Sequence, residues 1–124
     1  MESKVINTSK APGAIGPYSQ GYELGGMIFT SGQLPINPAT GNVPATIEEQ
    51  AEQCCKNVGA ILEAAGSGFA NVVKATCFLA DMADFAAFNA VYAKYFVSKP
   101  ARSCVAVKGM AKNALCEIEV IAKK

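Results

Sequence analysis

Arg102, Glu117 and Glu119 lie in two short apolar runs near the end of the chain, and their types and spacing suit chemistry on a small acid. Arg102 opens the run Arg102–Val107 just after Pro100-Ala101. Glu117 and Glu119 alternate with Cys116, Ile118 and Val120 in the run Leu115–Ile121. Both runs suit strands, and a link of polar and small residues joins them. Proline fixes its own φ and lacks an N–H donor, so Pro100 fits the start of a strand rather than its middle. Side chains of an extended chain alternate between faces. Arg102, Cys104 and Ala106 therefore share one face of their run, and Glu117 and Glu119 share one face of theirs. If the runs pair as a hairpin, a guanidinium stands beside a carboxylate on neighbouring strands. A fixed guanidinium can grip a substrate carboxylate through two parallel hydrogen bonds, and a glutamate can move protons or orient water. The same residues also suit a cross-strand ion pair on a solvated face. The spacing alone leaves both open.

Composition narrows the chemistry. The 124 residues include no histidine, which removes Ser-His-Asp and Cys-His nucleophile systems and the usual zinc sites. Nothing is spaced for a metal site built of cysteines or carboxylates alone, so no metal and no cofactor are expected. The five cysteines are odd in number and contain no C-x-x-C pair, which points to a reduced, cytoplasmic protein rather than a disulfide scaffold. MESKVINTSK has no apolar segment of the signal-peptide kind, and no apolar run approaches the roughly 18–20 residues that span a bilayer. A formal net charge of +1 gives no electrostatic case for nucleic acid or an anionic membrane. With 51% hydrophobic and 17% charged residues, the chain suits one globular domain over residues 1–124.

The elements that must position the arginine and glutamates follow from pattern. Lys4–Asn7 suits a short strand, and the Gly- and Pro-rich APGAIGPYSQG carries Tyr18, whose type and place suit a half-buried packing residue. Gly21–Leu24 and Met27–Ser31 read as strands joined by Gly25-Gly26. Gly32 follows, permitting close approach by a chain or a ligand, and PINPATGNVP reads as a surface loop. Thr46 and Glu49 have the form of a capping box before a helix with an apolar stripe of Ile47, Ala51, Cys54, Val58, Ile61 and Ala65, stopped by Gly66. Val72–Leu79 reads as a strand with Val73, Ala75, Cys77 and Leu79 on one face. Asp81 caps a second helix, Met82–Phe96, whose stripe of Phe85, Phe88, Tyr92 and Tyr95/Phe96 suits the core, with Asn89 just beside it. Two helices on one face of a mixed sheet make a two-layer α+β domain. The other face also reads as fairly apolar, through Val105, Val107, Ile118 and Val120, and so suits burial against another subunit.

These segments together resemble a known family. GPYSQG (Gly16–Gly21), TSGQLPINPATG (Thr30–Gly41), the central helix running into AAG (Ala64–Gly66) and PARSCVAV…EIEVIA (Pro100–Ala122) resemble the Rid family of reactive-intermediate deaminases. The family is also called YjgF or, in older naming, the L-PSP endoribonuclease family. The resemblance covers nearly the whole chain in order and is nearest the RidA branch. It implies a chorismate-mutase-like α+β fold, a homotrimer whose sheets form a central barrel, and active sites between subunits. It implies hydrolysis of 2-iminobutanoate and 2-iminopropanoate to 2-oxo acids and ammonia. Arg102 matches the arginine that binds the substrate carboxylate, and Glu117 the glutamate that positions water. Tyr18, Ser31, Gly32, Asn89 and Cys104 match pocket positions. One departure is the connection VSKP after Phe96, which is shorter than in typical members and borders the expected cleft.

The chemistry of the residues agrees with this. An imine is already activated toward water, so carboxylate capture, a placed water and proton transfer suffice. Cys104 fits packing better than nucleophilic attack, and Glu119 reads as structural or solvated. The family's older name suggests a ribonuclease instead, which the missing histidine and near-neutral charge disfavour. A non-catalytic protein that binds a small carboxylate through Arg102 is the remaining alternative.

Overall fold

The computed structural model describes residues 2–124. The chain forms β1 (Ser3–Ile6), β2 (Gly21–Leu24), β3 (Met27–Thr30), α1 (Ile47–Ala64), β4 (Val72–Leu79), α2 (Phe85–Tyr95), β5 (Ala101–Ala106) and β6 (Cys116–Lys123). The strands make one six-stranded sheet in the order β1-β2-β3-β6-β4-β5. β4 and β5 run parallel and the other neighbours antiparallel. This is the two-layer α+β arrangement of a mixed sheet and two helices that the pattern predicts.

The expected hairpin between the last two runs does not form. β4 lies between β5 and β6 and pairs with both. β5 follows β4 through α2, and such a crossover sets two strands parallel, whereas a short turn would set them antiparallel. The link to β6 then wraps the end of β4: the Val107 N–H donates to the Leu79 carbonyl at 2.9 Å, and the Leu115 carbonyl accepts from the Ala80 N–H at 3.0 Å. Register decides the faces. Arg102 is opposite Ala75, and Glu117 is opposite Phe78. Ala75, Cys77 and Leu79 are buried, while Thr76 and Phe78 project from the other side. Arg102 and Glu117 therefore stand on opposite faces of the sheet.

Local chemistry explains the elements that hold this register. The Thr46 hydroxyl accepts from the Glu49 N–H at 3.2 Å and itself donates to the Glu49 carboxylate at 2.9 Å, which starts α1. At its other end Gly66, with φ of 77°, donates to the Glu63 carbonyl, and Ser67 donates to that of Leu62. That pair of bonds closes the helix as a Schellman motif. The second helix is shorter than expected. Asp81 caps a single 3-10 turn, Met82–Asp84, and α2 proper begins at Phe85; tighter turns of this kind are common at helix starts. Val73 is also misplaced by simple alternation. A bulge between Val72 and Lys74 turns Val73 outward, and Val72 takes the buried place.

The core lies between the helices and one sheet face, around Ile28, Ile61, Leu62, Leu79, Phe88 and Ile118, all fully buried. Ile118 and Val120 belong to this side rather than to the open one, and Val107 lies just beyond β5. Val105, opposite Phe78 and exposed, does lie on the open face as expected, and the face continues through Val5, Tyr22, Phe29 and Ile121, each opposite the next across β1, β2, β3 and β6. Val5, Tyr22 and Phe29 are 52%, 43% and 39% exposed, a continuous apolar row rather than scattered residues. The loop after β3 is tied down more than its composition suggests. Pro35 is fully buried. The Asn57 side chain donates to the carbonyls of Leu34 and Ile36, both at 2.9 Å.

Candidate functional site

The site residues expected from the sequence fall into two groups. The first is built on α2 and β5. Phe85, Asn89 and Tyr92 recur at helical spacing, so they share one face of α2, and Pro100 and Ala101 bring Arg102 against it. Arg102 Nη1 donates to Asn89 Oδ1 at 2.7 Å. The guanidinium carbon stands 4.7 Å from the Tyr92 ring centroid and 5.6 Å from that of Phe85, and aromatic faces attract a cation at such distances. Part of the expected core stripe is thus the cradle of the arginine. The guanidinium borders a cleft of about 400 Å³ walled by Asn89, Tyr92, Val97, Lys99 and Pro100. Among the described residues the ion pair is Lys124 with Glu23, at 3.2 Å. Neither Arg102 nor Lys99 has a carboxylate partner there.

Cys104 shares the Arg102 face and sits opposite Cys77. Burial raises its pKa above the usual thiol value, against the opposing pull of the Arg102 charge. It is therefore a packed thiol rather than a poised thiolate. Cys77 behind it is pushed up to about 12, first by burial and then by Cys104. Burial also raises the Tyr92 phenol, whose hydroxyl is buried without a hydrogen-bond partner among the described residues.

The second group gathers on the other face, around Glu117. A Cβ on Gly32 would collide with the Glu117 carboxylate and stand 2.9 Å from its carboxyl carbon. Only glycine lets that side chain lie there, so the close approach expected at Gly32 comes from Glu117 itself. The segment is aligned to β6 by a bridge: the Gln33 N–H donates to the Ile118 carbonyl at 2.7 Å, and the Ile118 N–H returns the bond at 3.2 Å. The Ser31 hydroxyl donates to the Ser19 carbonyl, and the Ser31 N–H to that of Gln20. These bonds tie the Tyr18 loop to the same place. Tyr18 is 55% exposed, not half buried as its surroundings suggest. Burial raises the Glu117 carboxyl above the usual carboxylate range, and the Glu119 charge adds to the shift. Glu119 is exposed, in keeping with its solvated reading.

One chain thus brings Arg102, Asn89 and Cys104 together, and separately Glu117, Gly32 and Ser31 with the Tyr18 loop. It does not bring the two groups together. Sequence reasoning also missed the residues that hold the loops. Gln20 is buried and donates to the carbonyls of Thr8, Ala11 and Pro12. Gln50 donates to Pro44 and accepts from the Leu115 N–H. A buried amide that serves irregular backbone leaves no periodic trace in sequence. Lys99 lies in the VSKP connection, which carries no pattern of its own in sequence.

Among the described residues no group of three or more His, Cys, Asp or Glu side chains could hold a metal ion, and no helix is long and apolar enough to cross a membrane.

Comparison with known proteins gives one consistent result. The sequence profile of the family described as endoribonuclease L-PSP matches residues 8–124. A RutC family protein of Pasteurella multocida is 54% identical, over 98% of each chain. The 2-iminobutanoate/2-iminopropanoate deaminase of Escherichia coli K12 is 52% identical, over 97% of each. The crystal structure of E. coli TdcF with bound serine superposes with a TM-score of 0.94 at 47% identity, covering 98% of both chains. Matched by that profile over residues 8–124 and about half identical to these relatives along nearly its whole length, this chain belongs to the Rid/YjgF family, older name endoribonuclease L-PSP.

Proposed function

We propose that the protein hydrolyses 2-imino acids, of which 2-iminobutanoate and 2-iminopropanoate are the reference substrates, to 2-oxo acids and ammonia. The observation that carries this reading is the Arg102 guanidinium. It is held by Asn89 and two ring faces, borders a cleft, and has no carboxylate partner among the described residues. A cation fixed in this way suits a substrate carboxylate better than a structural ion pair, because its own geometry is already satisfied without one. Serine, which the TdcF structure contains, is a small carboxylate of this kind.

In the proposed reaction Arg102 holds the substrate carboxylate and so fixes the imine carbon. Glu117, as carboxylate, takes a proton from water as it adds to C=N, giving a carbinolamine. That proton passes to the nitrogen to complete the carbinolamine; Glu117 then takes the hydroxyl proton as C=O forms and delivers it to the nitrogen as C–N breaks, so ammonia leaves with the 2-oxo acid behind. The raised Glu117 pKa brings the group nearer neutrality, where one side chain can serve as base and then acid. Substrate fixing supplies most of the acceleration, since an imine needs little further activation.

Arg102 and Glu117 stand on opposite sheet faces, so the complete site draws them from different copies of the chain. The apolar row Val5–Tyr22–Phe29–Ile121 is suited to cover by those copies. A closed homotrimer around the open faces is the assembly we favour, and a reducing cytoplasm suits five free thiols. RNA cleavage fits less well, since the cleft suits a small acid and the chain has no histidine.

The test generates 2-aminocrotonate from threonine with a threonine dehydratase and traps the derived imine with semicarbazide. The wild-type protein should suppress the semicarbazone, and Arg102→Ala should lose about a thousandfold in kcat/KM, from two charge-assisted hydrogen bonds of about 2 kcal/mol each. A folded, oligomeric wild type that suppresses nothing would overturn the reading.

A further inference from the structure

In the single chain, before a second copy closes over it, the cleft beside Arg102 is roomy and cationic. Its volume of about 400 Å³ falls in the range of clefts that take drug-sized ligands, roughly 300–1,000 Å³. Two cationic residues line it, Arg102 and Lys99, and no acidic one. Neither forms an ion pair among the described residues. Two unpaired cations around one concave surface concentrate anions, and a dianion more than a monoanion. Lys99 also occupies a backbone position that does not call for it. Its φ is 49°, in the left-handed region that favours glycine or asparagine, and its N–H is bonded to the Phe96 carbonyl at 3.1 Å. The turn alone would be better served by glycine. A lysine there, exposed and lining the cleft, carries some cost in backbone strain and keeps an ammonium within reach of a ligand in it.

We propose that this cleft is a second-anion subsite and that the preferred substrates are imino forms of acidic amino acids, 2-imino dicarboxylates of the 2-iminosuccinate and 2-iminoglutarate class. Arg102 holds the carboxylate next to the imine carbon, and Lys99 meets the distal one. Val97 and Pro100 wall the methylene chain between them. The inference rests on the deaminase reading above and refines its substrate.

The test makes these imines in situ from aspartate and glutamate with a flavin amino-acid oxidase, catalase present, and traps them with semicarbazide beside the 2-iminobutanoate assay. The dicarboxylates should be hydrolysed with kcat/KM at least equal to that of 2-iminobutanoate. Lys99→Ala should lower the ratio of the two values about tenfold, the scale of one lost polar contact to substrate. Lys99→Gly should lower it equally while raising Tm, which separates the ammonium from the turn. Raised salt should weaken dicarboxylate turnover more than that of 2-iminobutanoate. Hydrolysis of 2-iminobutanoate with the dicarboxylates at least tenfold poorer, or a ratio unmoved by Lys99→Ala, overturns the subsite and leaves the deaminase standing. Hydrolysis of none of these imines overturns both.

Discussion

The two faces of the sheet are finished in different ways. On the helix side β4 and β6 present Ala75, Cys77, Leu79, Cys116 and Ile118 to α1 and α2, and every one is fully buried. Polar groups there are largely fixed: Arg102 is bonded to Asn89, and Gln50 and Asn57 satisfy loop carbonyls. On the open side an apolar row crosses four strands, and Glu117 crowds Gly32 with its pKa raised. Apart from the Arg102 cleft at its β5 edge, the covered face has committed its surface to the fold. The open face keeps apolar surface and a half-buried acid that the single chain leaves unused, the combination on which the proposed assembly and chemistry rest.

Paired substitutions test this contrast, starting with the largest effect. Phe88→Ala empties the covered core and should cost about 3–5 kcal/mol of stability, read by urea denaturation. Phe29→Ala on the open face should scarcely change unfolding of the isolated chain, yet weaken self-association in sedimentation. Equal effects in both assays would erase the distinction. Next comes Gly32→Ala, whose methyl would displace the Glu117 carboxylate. Because a flexible side chain gives way rather than backbone, the fold should survive while kcat/KM drops about a hundredfold, the effect of a misplaced reacting group.

Glu117→Gln sharpens the comparison through pH. The folded chain holds the Glu117 proton to higher pH than the unfolded chain does. Stability therefore falls as pH rises from the ordinary glutamate value to the raised one, and stays reduced above it. Glu117→Gln should remove that dependence, raise Tm slightly at neutral pH and abolish deamination. In the wild type, activity should fall on acidification at a pH above the ordinary glutamate range, since the base must be ionised. The smallest effect belongs to Tyr92→Phe. The Tyr92 hydroxyl is buried without a partner among the described residues, so its removal should be neutral or stabilising by up to about 1 kcal/mol. A large loss of stability would show that the hydroxyl is bonded after all.

Much of the fold was legible in the chain because its signals are local. The α1 cap at Thr46, the stop at Gly66, the Gly25-Gly26 turn and the β4 run are each written within a few residues. Strand order was not, because the 107–115 link resembles a hairpin loop until β4 is seen to fill the space between β5 and β6. The members of the candidate site were legible by residue type and by resemblance, and the structure groups them in space: Arg102 with Asn89 and Cys104, and Glu117 with Gly32 and Ser31. Their separation onto two faces was hidden, because it depends on register across β4. Phe85 and Tyr92 read as core, since aromatic spacing on a helix looks the same whether a ring covers leucine or a guanidinium. Gln20, Gln50 and Asn57 left no signal, because their partners are loop carbonyls with no pattern of their own.

The most direct test of a site shared between copies is complementation. Arg102→Ala and Glu117→Ala proteins, each inactive alone, are mixed in equal amounts under conditions that allow subunit exchange, and imine hydrolysis is followed. If each site takes Arg102 from one copy and Glu117 from its neighbour, random mixing restores both groups in about a quarter of the sites, whatever the size of the ring. Recovery near that fraction of wild-type activity is the predicted result. Mixed oligomers that form, as shown by mass, and yet remain inactive would contradict the account and return both residues to a single chain.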